Sequence, residues 1–133
     1  MNIPQNLRYT KSHEWVEDLG GGRARIGLTD HAQQEMGDIV FVTLPGAGDD
    51  VAAGERLADV ESVKAVSDVY SPLSGKISAV NEALLDDPAA INTDAYGAWL
   101  VELSEVDDME GAGVELLCAD AYAAFVAASI KEA

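Results

Sequence analysis

The stretch Val60-Glu-Ser-Val-Lys64-Ala-Val-Ser-Asp-Val-Tyr70-Ser-Pro-Leu-Ser-Gly75-Lys-Ile77 decides the fold. It joins the end of one strand-like run, ERLADVES (55–62), to a second, VKAVSDVY (63–70), with Lys64 at their junction and Pro72 and Gly75 as punctuation at the start of GKISAV (75–80). β-Branched and aromatic residues in short runs, broken by Gly and Pro, are the rhythm of a sandwich or barrel. A lysine at the junction projects from a hairpin of about residues 60–71.

Working outward, HEWVE and RARIGL are strand candidates joined by Leu19-Gly20-Gly21-Gly22, where glycine allows the positive φ of a tight reversal. Residues 29–37, TDHAQQEMG, carry N-cap residues at one end and a glycine at the other, which predicts a short helix. DIVFVTLP reads as a strand ended by Pro45, EALLDDPAAINTD mixes helix and turn signals, and WLVEL alternates into a late strand. From about 120 to 131 the chain is predicted helical, with Tyr122, Phe125, Val126 and Ile130 forming a core-facing stripe. A faint internal repeat pairs Gly37-Asp-Ile-Val-Phe-Val with Gly75-Lys-Ile-Ser-Ala-Val, Asp49-Asp-Val-Ala-Ala with Asp86-Asp-Pro-Ala-Ala, and Asp59-Val-Glu with Leu100-Val-Glu. Two similar β-halves would then pack as a flattened barrel, with Lys64 in the turn that links them.

Composition bounds the function. With 133 residues the chain suits one domain spanning 1–133. Eight basic against 24 acidic residues give a net charge of −16, which repels nucleic-acid phosphates and anionic headgroups. The same charge is compatible with a plainly solvated surface or with steering toward basic partner proteins. The single Cys118 excludes an internal disulfide, and its apolar surroundings, LLCADAYAAF, predict a buried structural thiol. No apolar run approaches the roughly 20 residues of a membrane span. The start, MNIPQNLRYTKSHEW, has neither a signal-peptide core nor an Arg-rich transit segment, so the expectation is an unprocessed cytoplasmic protein, and independent catalysis is not expected of it.

That last point rests on chemistry: there is no nucleophile–base–acid set, no Gly-rich phosphate loop, and His13 and His31 have no spacing that makes a metal site, so both read as structural or surface residues. What the chain does offer is Lys64, flanked by the small or uncharged Ser62, Val63, Ala65 and Val66. A lysine ε-amine on a free four-carbon stem suits amide attachment of a carrier group, and a plain surface lysine is the alternative.

Four blocks, SHEWVE, GLTDHAQQEMGDIVFVTLP, VESVKAVSDVYSPLSGKISAVNEAL and DAYGAWLVEL, resemble the H-protein family of the glycine cleavage system, in that family's order and over nearly the whole chain. ESVKA followed by SPLSG is the specific part. The resemblance implies a mainly β biotinyl/lipoyl-type hybrid barrel with lipoic acid amide-linked to Lys64. It implies a non-catalytic carrier whose partners are the pyridoxal-phosphate-dependent glycine decarboxylase, the tetrahydrofolate-dependent aminomethyltransferase, the FAD-dependent dihydrolipoamide dehydrogenase and lipoate-attaching enzymes. The attaching enzymes are expected to read Glu61 and Gly75, three residues before and eleven after the lysine, and Gly48 matches a turn glycine of lipoyl domains generally. Ser12, Glu14 and Asp68 are implied as holders of the aminomethyl ammonium in a cleft, with a solvent-facing carboxylate as the alternative for Glu14 and a turn residue for Asp68. A monomer is expected.

One departure stands out: the family's extra residue, often a second glycine, between Tyr96-Gly97 and Trp99 is replaced by Ala98 alone, which puts the shape of that loop in doubt. Other carriers fit less well. Biotin carriers usually flank the lysine with methionine, and lipoyl domains of 2-oxo-acid dehydrogenases usually place Asp before it in a longer chain. A lipoyl relay that donates lipoate to other lipoyl domains remains an alternative within the same fold.

Overall fold

The computed structural model describes residues 2–109 and 114–132, with side chains through residue 129 in the last helix. Among the described residues, nine strands form two antiparallel sheets. Strands β1 (Arg8–Tyr9), β2 (Glu14–Gly20), β3 (Arg23–Leu28), β5 (Asp50–Val51), β8 (Gly75–Val80) and β9 (Val101–Ser104) make one sheet in the order β1-β2-β3-β9-β8-β5. Strands β4 (Ile39–Thr43), β6 (Arg56–Ser62) and β7 (Val66–Tyr70) make the other, in the order β4-β6-β7. This mainly β, two-sheet architecture fits the expected hybrid-barrel class.

Each expected element has a local cause that the coordinates bear out. The β2–β3 reversal uses Gly20, Gly21 and Gly22 at φ 85°, 63° and 76°, values a side chain would oppose. Helix α1 (Asp30–Met36) starts where the Thr29 side chain accepts from the Ala32 N–H at 3.2 Å and ends at Gly37, φ 76°. The mixed segment divides at Pro88 into α2 (Ala83–Asp86) and α3 (Ala90–Thr93). Helix α4 (Ala119–Glu132) covers the predicted range.

The main core takes Ile26, Ile77 and Leu103 from the larger sheet and Val42, Val60 and Val69 from the smaller one. A second cluster, Leu7, Tyr9, Trp15, Ala119, Tyr122 and Val126, fastens α4, with the Tyr9 and Tyr122 rings stacked at 4.7 Å. Thus Tyr122, Phe125 and Val126 pack as expected, whereas the side chain of Ile130 lies outside the described residues. Cys118 corrects the expectation of a buried thiol: it is exposed, because α4 begins one residue later and Ala119 takes the inward position.

The outer two blocks of the internal repeat are reproduced in register, whereas the middle pair is not: Asp50–Val51 forms β5, while Asp86 closes α2. Strand β4 pairs with β6 as Ile39↔Ser62, Phe41↔Glu61 and Val42↔Val60. Strand β8 pairs with β9 as Ile77↔Leu103, Ala79↔Glu102 and Val80↔Val101, and both ladders slip at the same step.

Candidate functional site

Lys64 sits where the hairpin reading puts it, in the turn between β6 and β7. Ser62 organises that turn: its N–H donates to the Ala65 carbonyl at 2.8 Å, and its hydroxyl accepts from the N–H groups of Lys64 and Ala65 at 3.3 and 3.2 Å. From outside the hairpin, the Val63 N–H donates to the Asp38 carbonyl at 3.0 Å. The turn is therefore held by its backbone, while the Lys64 side chain is exposed and its ammonium has no hydrogen bond or ion pair among the described residues. Its stem passes Gly37, where an added Cβ would lie 3.7 Å from Lys64 Cε.

Around the turn the sheet exposes apolar side chains, with Val63 70% and Val66 64% accessible and Phe41 and Val40 about half. Phe41, Glu61 and Val66 are direct cross-strand partners, so Glu61 stands between two exposed apolar groups, and it has no side-chain partner among the described residues. The sequence marks Val66 as an uncharged flank of Lys64 and Phe41 as part of a strand run, but a β-branched and aromatic run does not say which face it exposes. Strand pairing was needed to show which residues face outward.

Glu14 is not the solvent-facing strand carboxylate weighed as its alternative. It is buried, 1% exposed, at the start of β2, and its Oε1 accepts from the Thr10 and Ser12 hydroxyls, each at 2.6 Å. Among the described residues, its Oε2 has a long 3.4 Å contact from the Tyr70 N–H at the end of β7. Burial pushes the carboxyl above its ordinary range, and these donors pull it part of the way back. Ser12 and Glu14 thus come together as expected, with Thr10 as a third member that no spacing signal marked. Asp68 lies two residues before Tyr70 on β7, exposed, with its carboxylate 3.6 Å from Arg56 Nη1. Arg56 also pairs with Asp59, the cross-strand partner of Asp68, at 3.0 Å.

Gly75 is not at the lysine turn. An added Cβ there would come 2.7 Å from the Ser104 carbonyl oxygen and 3.0 Å from Val106 Cγ2, so glycine is required by packing of the chain on itself. Gly48 donates its N–H to the Ile77 carbonyl at 2.7 Å, on the same side of the larger sheet. His13 and His31 are structural, as expected: their rings lie 4.6 Å apart, and His13 Nδ1 is 2.8 Å from the Tyr122 hydroxyl, which also bonds Thr29 Oγ1 at 2.7 Å. Burial, then the neighbouring His31, lowers the His13 pKa. No cluster suited to a metal ion occurs among the described residues, and no helix there is long and apolar enough to cross a membrane. In the shortened loop before β9, the N–H groups of Gly97 and Ala98 both return to the Asp94 carbonyl, at 3.2 and 2.9 Å, so one residue suffices to close it.

A lysine that is exposed and has no partner among the described residues, at the tip of a β-hairpin on a two-sheet barrel-like fold, suits a class of protein that carries a covalently attached group. A sequence model of the family described as Glycine cleavage H-protein matches residues 7–129. The glycine cleavage system H protein of Burkholderia ambifaria is 49% identical over 122 residues, covering 91% of this chain and 94% of its own length. That of Stenotrophomonas maltophilia is 53% identical over 124 residues, covering 91% and 92%. The crystal structure of a glycine cleavage system H protein from Mycobacterium marinum superposes with a TM-score of 0.82 at 43% identity, covering 92% of this chain and 97% of that one. The chain belongs to the glycine cleavage H-protein family. It is accordingly a non-catalytic carrier subunit, not an enzyme.

Proposed function

We propose that Lys64 carries lipoate in amide linkage and that the chain shuttles the aminomethyl group of glycine from the glycine decarboxylase to the tetrahydrofolate-dependent aminomethyltransferase, before dihydrolipoamide dehydrogenase restores the arm. The observation that carries this reading is the free ammonium of Lys64 on a turn whose backbone is fixed by Ser62 and Asp38. A group to be acylated by another enzyme must be reachable and unpaired, and the support beneath it must not move with it. The residues present fit lipoate: the flanking Val63 and Ala65 add no charge, and the stem is unobstructed at Gly37. When bound, lipoate supplies the disulfide that takes up the aminomethyl group.

The rest of the work falls to the chain. Glu61 offers attaching enzymes a carboxylate flanked by apolar contacts, a pattern that gives both steering and burial. Gly75 acts on attachment through the barrel it packs, not by direct approach to the lysine. Glu14 holds a cationic cargo: Oε1 is occupied by two hydroxyls, while Oε2 has spare capacity and a buried charge that gains from a positive partner. Ser12 orients that carboxylate, and Asp68 adds negative charge further along β7.

Intact-mass spectrometry tests the reading. Incubated with lipoate, ATP and a lipoate ligase, the chain gains one lipoyl mass, and Lys64→Arg gains none. A biotin-sized addition, or a gain that survives Lys64→Arg, overturns it.

A further inference from the structure

The Lys64 turn rests on residues 37–39. Besides the bond from Val63 to the Asp38 carbonyl, Ile39 pairs with Ser62, and the lysine stem passes over Gly37. Yet β4 is the edge of its sheet, so this support has no strand on its outer side. Asn92 fills that place. Its Oδ1 accepts from the Ile39 N–H at 2.9 Å, and its Nδ2 donates to the Gly37 carbonyl at 2.9 Å and to Gln33 Oε1 at 3.0 Å. One carboxamide thus presents an acceptor and a donor to the two residues that flank Asp38, as a peptide group of a neighbouring strand would. Both amide hydrogens and the oxygen are in use. The base is fixed as well, since the adjacent Ile91 of α3 is buried in the main core, 1% exposed.

We propose that Asn92 is a positioning residue for Lys64: by clamping Gly37 and Ile39 it fixes the Asp38 carbonyl, and through it the turn that presents the lysine to the enzymes that modify it. The inference rests on the reading of Lys64 as the attachment site. It separates two tasks that meet at the turn. Ser62 gives the turn its internal shape, and Asn92 sets where that shape stands relative to the barrel. The Gln33 bond belongs to α1 and leaves Asp38 unbracketed, so it is dispensable for the lysine.

The test uses the full chain with Asn92→Ala, Asn92→Asp and, as control, Gln33→Ala. Asn92→Asp keeps nearly the same volume and the acceptor for Ile39, but it turns an acceptor toward the Gly37 carbonyl. Two readouts are taken: amide hydrogen exchange by NMR, and kcat and KM for attachment of lipoate by a ligase supplied with lipoate and ATP. In both Asn92 variants the Val63 amide exchanges about tenfold faster while Val60 in the same hairpin is unchanged, as for a local opening. Attachment kcat falls roughly tenfold, within the about 10²-fold that a 1 Å misplacement of a reacting group can cost, while KM changes less than about twofold. Gln33→Ala matches wild type in both readouts. Should Asn92→Ala fail to fold, Asn92→Asp decides. Unchanged Val63 exchange and kcat in a folded Asn92 variant overturn the proposal, as does an equal acceleration of exchange at Val60 and Val63, which marks general loosening. If wild type itself takes up no lipoate, the reading of Lys64 has failed instead, and the exchange comparison still decides whether Asn92 holds the turn.

Discussion

The two β-halves share a ladder and differ in what stands on it. In the β4–β6 half, Glu61 opposite Phe41 is exposed and unpaired among the described residues; in the β8–β9 half, Glu102 opposite Ala79 is buried and gripped by Arg23 at 2.7 Å and Arg25 at 3.4 Å. The equivalent glycines diverge in the same way. Gly75 is pressed against the Ser104 carbonyl, whereas Gly37 has only the Lys64 stem nearby and is needed for its φ of 76°. Each of β9 and β6 has a strand on its far edge, and the side chains that strand brings explain the split: β3 carries Arg23 and Arg25 to Glu102, while β7 sets the exposed Val66 opposite Glu61. A repeated frame lets one copy serve as support and the other as display.

The largest effect should come from the glycine pair. Gly75→Val forces backbone away from Ser104 and should cost about 3 kcal/mol of unfolding free energy, at the upper end of overpacking penalties. Gly37→Ala meets no clash and should cost about 1–3 kcal/mol through backbone conformation alone. Urea denaturation with both variants decides this, and a Gly75→Val variant as stable as wild type would refute the division into support and display.

Much of this frame was legible in the sequence, because its signals are local. The Gly20–Gly22 reversal, the Thr29 cap and the Pro45 stop depend on neighbours a few residues away, and each structured what it was expected to. Two-residue strands β1 and β5 carry no period to read, and Tyr9 is held by Leu117 from far along the chain. The burial of Glu14 was illegible for the same reason: strand alternation gives no sign that Thr10 and Tyr70 would supply its bonds. Cys118 shows that one residue at a helix start reverses exposure. For the site, the ESVKA signature singled out Lys64, but Asn92 enters only through bonds from a distant segment, and Arg56 through the β6–β7 pairing.

Two buried carboxylates give the comparison a pH dependence of opposite signs. The Arg23 bond holds Glu102 below its ordinary range, so its stabilisation is present above about pH 4.3, the usual glutamate value, and is lost as pH falls through the lowered folded value. Both arginines are substantially exposed, so Glu102→Gln should cost only about 1 kcal/mol at pH 7 and less in acid. For Glu14 burial raises the folded value, so its favourable contribution is complete below about pH 4.3 and is lost as pH rises through the raised value. The gap between wild type and Glu14→Gln should therefore shift in favour of the variant as pH rises. Thermal melts of both variants from pH 4 to 8 test the signs, and parallel slopes would show that the two carboxylates sit in equivalent environments after all.

The cargo-holding role proposed for Glu14 predicts an effect of similar size. A charge-assisted contact to a cationic cargo is worth about 1.5 kcal/mol at the low end, which favours the held state roughly tenfold. Glu14→Ala should shorten the lifetime of the aminomethyl-loaded protein by about that factor, without changing how much lipoate Lys64 receives. Ammonia or formaldehyde release follows the decay, and equal rates would leave Glu14 a structural carboxyl only.

The smallest expected change in stability is the one that sharpens the comparison most. Glu61→Ala removes no hydrogen bond or ion pair among the described residues, so unfolding free energy should stay within about 0.5 kcal/mol of wild type. Its register equivalent, Glu102→Ala, should lose more stability yet accept lipoate at the wild-type rate once folded, because its carboxylate never faces a partner. Glu61→Ala should do the reverse and slow lipoate attachment roughly three- to tenfold, mainly at low salt, as expected for a rim charge that acts on encounter. Attachment rates at two ionic strengths, measured for both variants, separate the cases. If Glu102→Ala slows attachment as much as Glu61→Ala does, the two halves are not divided between support and display, and the effect of either glutamate on Lys64 passes through the shared ladder.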